Sequence, residues 1–423
     1  MIIGNVFQQA YNLVDSIIVG KYLGKEALAA VGASFPLIFL LISLIIGVAS
    51  GATIMIAQFY GAKQIEKVKL TNSTLMIFLS VASLLMTFIG VSWTEEVFRL
   101  IQLPEELMPQ AVSYLKVYLF GLIFFFGYNG ISAVLRGLGD SKTPLYFLII
   151  STILNIILDL FFIVVLDFGV EGTAYATIIS QAFALFSAIF YLQWKNNIIQ
   201  FKIKDFKFDK SLYIQSLKIG LPSGLQATFV ALGMTTVLGI VNGFGTNVVA
   251  AYSVAIRLDA LATLPAMNFA AALSTFVGQN IGAGKMDRVA KGFKSTLIMS
   301  SVVSIIISIT FYFFGSPLMA VFTTDIDVIR IGSQYLVIVS SFYIIFSAMF
   351  STNAVMRGAG DTMIPMFVTL IALWVVRVPA SYFLSDIFGE LGIWWSLPLA
   401  WAVGLIFSFS YYLTGRWKRK SVI

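Results

Sequence analysis

Apolar runs of about twenty residues or more recur along the whole chain, each long enough to cross a hydrocarbon core about 30 Å thick. The 423 residues are 59% hydrophobic, 15% aromatic and only 11% charged, a balance foreign to soluble domains. Breaks at charged or Gly/Pro-rich stretches divide the chain into twelve expected helices: 2–20, 27–58, 70–93, 110–135, 144–166, 170–193, 217–242, 249–279, 292–314, 331–356, 363–385 and 391–415. The sequence therefore describes an all-α, polytopic membrane protein with no signal-peptide cleavage pattern.

Charge orients the spans. Alternate connections hold twenty Lys or Arg residues, from Lys63 to Lys420, and the other connections hold only Lys21, Lys25, Arg99 and Arg330. The positive-inside rule places the basic set, and with it both termini, in the cytoplasm. The net charge of +7 is thus a topological signal spread over short loops, and no nucleic-acid partner is expected. Neither Cys nor His occurs, which excludes disulfides, thiol chemistry, Cys/His metal centres and Ser-His-Asp catalysis. No GxxxxGK[ST] loop is present, so an energy source would be an ion gradient. An enzyme is not expected.

The chain is duplicated at an offset of 221 residues. "AVLRGLGDSKTP" (133–144) recurs as "AVMRGAGDTMIP" (354–365), and "QFYGA" (58–62) as "QNIGA" (279–283). Two pseudo-symmetric six-helix lobes are expected, residues 1–195 and 214–423, joined by a cytoplasmic linker over 196–213. Because six is even, their pseudo-two-fold axis runs along the membrane normal, an arrangement suited to alternating access. In the repeated loops, Arg136 with Asp140 and Arg357 with Asp361 fit two readings: a cytoplasmic gate of charge pairs, or helix ends built on Gly137, Gly139 and Pro144.

Ionisable groups inside spans are costly and should face a partner or a cavity. Helix 1 carries Asn5, Gln8, Gln9, Asn12 and Asp15 within one arc of about 120°. Asp15, Asp159 on helix 5 and Thr177 on helix 6 all lie ~10 Å below the external surface at 1.5 Å per residue. Asn155 precedes Asp159 by one helical turn and shares its face. Two carboxylates, an amide and a hydroxyl at one depth suit Na⁺, or a proton shared between the acids. The second half has no copy of this set: the offset places Thr236, Val376 and Ala380 where the first half has Asp15, Asn155 and Asp159. It offers instead Arg257, Asp259 and Arg377, candidate cavity charges that could form a buried ion-pair group.

These residues, with "YNLVDSIIVGKYLGKEALAAVGAS" (11–34), the paired RGxGD loops and "PAMNFAAALSTFVGQNIGAGK" (265–285), resemble the multidrug and toxic compound extrusion (MATE) family over nearly the whole chain. The likeness is closest to its bacterial DinF-like members. It implies a V-shaped pair of bundles in the bacterial cytoplasmic membrane and a cation site on Asp15, Asn155, Asp159 and Thr177. It also implies antiport of amphipathic, often cationic compounds against H⁺ or Na⁺, with no cofactor and with a monomer as the working unit. A lipid-linked oligosaccharide flippase of the same superfamily is the alternative. Family members usually carry a longer N-terminus with a proline early in helix 1, and this chain begins at Met1 inside that helix, so bending at that proline is not carried over. The acids of NorM-like second lobes are also missing: helix 7 offers Gln226 and no carboxylate between Ser216 and Asn242.

Overall fold

The computed structural model describes residues 2–195, 198 and 206–423. It consists of helices α1 (Ile2–Tyr22), α2 (Lys25–Gly61), α3 (Ile65–Leu100), α4 (Met108–Phe120), α5 (Leu122–Gly137), α6 (Lys142–Leu160), α7 (Gly169–Lys195), α8 (Lys210–Asn242), α9 (Thr246–Gly282), α10 (Met286–Ala320), α11 (Ile326–Ser340), α12 (Tyr343–Gly358), α13 (Met363–Leu370), α14 (Val378–Phe388) and α15 (Glu390–Leu413). Among the described residues nine helices or helix runs are long and apolar enough to span a membrane, and eleven when each bent pair counts as one span. With α1, these are the twelve spans of the sequence reading.

Two expected spans are broken. The span expected over 110–135 is α4 and α5, bent by 48° at Gly121, and that over 331–356 is α11 and α12, bent by 49°. The breaks fall 221 residues apart, so the bend belongs to the duplicated unit. Span five ends in a π-helical stretch, Phe161–Val165, and span eleven carries another, Ile371–Arg377, between α13 and α14. The turns repeat as well. Gly24 and Gly245 have φ of 89° and 90°, and Gly139 and Gly360 have 93° and 95°, left-handed values that a Cβ would strain. Most helices also outrun their apolar cores: α8 begins at Lys210, inside the stretch expected as linker, with the Asp209 carboxylate accepting from the Leu212 N–H at 2.9 Å. Of that linker, residues 196–197 and 199–205 lie outside the described set.

Contacts gather the chain into two compact units, residues 1–56 with 64–221 and residues 57–63 with 222–423. In the first, α2 and α8 pack backbone to backbone, a Cβ on Gly51 falling 2.3 Å from the Ser216 carbonyl and one on Gly220 falling 2.3 Å from the Gly47 carbonyl. In the second, the last turn of α2 crosses the end of α9 reciprocally. A Cβ on Gly61 would sit 2.0 Å from the Gln279 carbonyl, and one on Gly282 would sit 2.0 Å from that of Gln58. The Gln58 side chain there donates to the Gly358 carbonyl and accepts from Ser421 Oγ and the Val422 N–H, each at 2.9 Å. The second unit's outer core is an aromatic stack of Tyr252, Tyr335 and Trp394, surrounded by valine, leucine and isoleucine. Large apolar side chains such as Phe88, Phe190 and Phe313 stand exposed, as surfaces against lipid require.

Candidate cation site

The first unit gathers the residues singled out on helices 1, 5 and 6. Asp15 on α1, Asn155 and Asp159 on α6 and Thr177 on α7 are all buried, Asp159 completely. Asp15 lies seven residues before the end of α1 and Thr177 eight residues after the start of α7, which sets both about 10 to 12 Å from those helix ends. The carboxyl groups of Asp15 and Asp159 face each other at hydrogen-bonding range. Asn155, with its amide oriented to satisfy both ends, donates to Asp159 Oδ2 at 3.0 Å and accepts from the Thr177 backbone N–H at 3.2 Å. That amide fixes the Asp159 rotamer and ties α6 to α7. One oxygen of each acid, Asp15 Oδ1 and Asp159 Oδ1, has no hydrogen-bond partner.

Two bare carboxylates at that range inside a membrane protein repel strongly and have lost their water. A proton shared between them, or a cation held by their free oxygens, supplies the missing positive charge. Among the described residues no group of three or more acids gathers as a divalent-metal cage. The π stretch begins two residues after Asp159 and lets the chain change register beside it, a recurrent companion of functional sites.

Sequence reasoning missed Tyr118, on α4, which lies within electrostatic reach of Asp15. Its signal was one tyrosine among many. Of the polar stripe on α1, Asp15 alone can be placed, because the side chains of Asn5, Gln8, Gln9 and Asn12 lie outside the described set.

The second unit arranges its charges differently from the expected ion-pair group. Arg257 is exposed and Asp259 half-buried, two positions apart and so on different faces of α9. Asp259 Oδ1 accepts from the Tyr343 hydroxyl at 2.6 Å. Arg377 is buried, senses Asp259 electrostatically and makes no ion pair shorter than 4.0 Å among the described residues. It closes the second π stretch.

The RGxGD loops form no Arg–Asp gate pair among the described residues either. Asp140 turns into the start of α6, where its carboxylate accepts from the N–H groups of Lys142 and Thr143 and from the Thr143 hydroxyl at 2.6 Å. Asp361 accepts from the Tyr411 hydroxyl at 2.6 Å, and Arg357 donates to Gln226 Oε1 at 2.8 Å. The left-handed glycine before each aspartate swings it away from the arginine four residues back.

A duplicated all-helical bundle of membrane-long spans, with a buried acid pair in one lobe, has the build of a membrane transporter. The MatE family profile matches residues 1–161 and 222–383. The chain belongs to that family of multidrug and toxic compound extrusion proteins. It is 33% identical over 431 residues to the probable multidrug resistance protein YoeA of Bacillus subtilis (strain 168), covering all of this chain and 93% of that one. It is likewise 33% identical to the probable multidrug resistance protein YpnP of the same organism, over 99% and 94% of the two chains. A solved structure of MATE in the bent conformation superposes with a TM-score of 0.93 at 25% identity, covering 100% of this chain and 95% of the other. The protein is a multi-pass membrane transporter and not an enzyme.

Proposed function

We propose that the chain is a secondary antiporter exporting amphipathic, often cationic compounds in exchange for H⁺ or Na⁺. The observation that carries this reading is the pair of buried carboxyl groups, Asp15 and Asp159, each with an oxygen left without a donor. Cation binding there favours one state of an alternating-access cycle and substrate binding favours the other, each shifting the balance by ~1.4 kcal/mol per tenfold difference in affinity. Both termini lie in the cytoplasm in this reading, and the two lobes are residues 1–195 and 214–423, with the last turn of α2 belonging to the second compact unit. Relatives named as multidrug resistance proteins support the substrate class.

The test is efflux of a fluorescent lipophilic cation from proteoliposomes under imposed Na⁺ or pH gradients, comparing the parent chain with Asp15→Asn and Asp159→Asn. Gradient-driven flux that disappears in both folded variants supports the reading, and the gradient that drives it names the coupling ion. Flux indifferent to both substitutions refutes the site.

A further inference from the structure

Above the acid pair, at the outer end of the first lobe, lies a groove of about 320 Å³. It is lined by Leu23 just past α1, Gln110 and Ser113 of α4, Phe168, and Val170 and Glu171 of α7. Of the helices that wall it, α4 and α7 carry Tyr118 and Thr177 below, and Leu23 directly follows α1, which carries Asp15. Glu171 accepts a short hydrogen bond from the Ser113 hydroxyl, which clamps α4 to α7 across the groove. The Gln110 Oε1 atom is shut off from solvent with no donor to bond it.

Between groove and acid pair stands Thr173. It is fully buried, at 0% exposure, and its hydroxyl has no partner. It lies one helical turn below Gly169, which lines the groove, and one turn above Thr177 on the same face of α7, whereas Glu171, two positions from Thr173, stands on another face at the groove's rim. An acid in the first turn of a helix stabilises the helix dipole whatever else it does, so Glu171 alone marks nothing. The buried, unpartnered oxygens of Gln110 and Thr173 are different: an amide oxygen that accepts and a hydroxyl that accepts or donates, neither has a partner, and the cost of such burial calls for a counterpart.

The duplication supplies the control. At the offset of 221, Glu171 becomes Gly392, Thr173 becomes Trp394 and Gln110 becomes Ile331. Trp394 is 1% exposed, stacked on Tyr252 at 5.6 Å and edge-on to Tyr335 at 5.1 Å. The second lobe fills with aromatic rings the place where the first lobe has oxygens, and it also lacks the acid pair. At the matching positions the second lobe has neither the groove's Glu171 and Gln110 nor the acid pair.

We propose that this groove is the external port for the coupling cation, with Glu171 drawing it in and Thr173 handing it down to Thr177, Asp159 and Asp15. The inference rests on the antiport reading above. Its ligand is a monovalent cation of oxygen-seeking chemistry, Na⁺ or a proton carried by water.

The test uses the full chain in proteoliposomes at low ionic strength, with exchange measured against external Na⁺ concentration and, separately, external pH. The variants are Glu171→Gln, Thr173→Val and, as a control, Glu105→Gln, an exposed outer acid away from the groove. Loss of the focusing carboxylate raises the half-saturating cation concentration about five- to tenfold while the maximal rate stays within about twofold, and the effect fades at high salt. Thr173→Val lowers the maximal rate severalfold with an unchanged thermal midpoint, and Glu105→Gln matches the parent. The arm that shifts, Na⁺ or pH, identifies the cation. Unchanged half-saturation in Glu171→Gln overturns the port, as does a loss of rate that merely follows a fall in thermal midpoint. Asp15→Asn, run alongside, separates the two readings: flux that survives it sinks the antiport site, whereas flux that it abolishes, with Glu171→Gln silent, sinks the port alone.

Discussion

Replacing Asp159 by Asn should change stability and ion affinity in opposite directions. The substitution keeps the shape, and the new amide oxygen still accepts from Asn155 where Asp159 Oδ2 does at 3.0 Å. What disappears is a negative charge facing Asp15. At a separation of ~4 Å and an effective dielectric of ~20, one unit charge interacts with another by about 4 kcal/mol. A bound cation loses that attraction, which corresponds to about a thousandfold weaker binding at ~1.4 kcal/mol per decade. In the ion-free protein the same substitution removes repulsion, so the thermal midpoint without the ion should rise. The parent protein gains about 2.7 kcal/mol when the coupling ion stands at a hundred times its dissociation constant, and the variant should gain almost nothing under the same conditions. Thermal unfolding in detergent across a Na⁺ series, repeated across a pH series, reads both effects. A variant less stable than the parent without the ion, or one that keeps its ion-dependent gain to within a factor of ten in affinity, would refute the argument that the two carboxyl groups share one positive charge.

Three further outcomes follow from the packing. Gly61→Ala and Gly282→Ala each force a Cβ to within 2.0 Å of a carbonyl oxygen on the crossing helix, so each should cost about 1 to 3 kcal/mol of stability by thermal unfolding, and the pair less than the sum. Gln58→Ala removes three hydrogen bonds that hold Gly358, Ser421 and Val422, and hydrogen exchange over residues 416–423 should quicken while the Asp15 site keeps its ion affinity. Asp140→Ala strips the start of α6 of its capping carboxylate and should lower stability by about 0.5 to 2 kcal/mol, with efflux per folded molecule preserved; a loss of coupling at full stability would restore the gate reading.

The membrane made much of this protein legible in its sequence. In lipid every ionisable residue is conspicuous, so Asp15 and Asp159 stand out against their neighbours, and helical rise places them level with Thr177. The repeat sharpened the reading by showing which half lacked them. Tyr118 stayed hidden because aromatic residues fill such a chain for reasons of packing. The bends after α4 and α11 and the two π stretches were invisible because they change the register of the backbone without changing hydropathy. The contact of Tyr343 with Asp259 spans 84 residues and leaves no local pattern. The RGxGD loops had two readings, gate or helix end, and in this structure the left-handed glycine aims Asp140 at the start of the next helix.

The partition of α2 has a genetic consequence. Its first 32 residues belong to one compact unit and its last five, from Ala57 to Gly61, to the other, so the tandem copies are not interchangeable modules. A gene split at the connection between them would encode two fragments, the later one missing the strand of helix that holds its own tail. Such fragments should recover a working protein only when made together. The second unit thus depends on a turn of helix encoded within the first half of the chain.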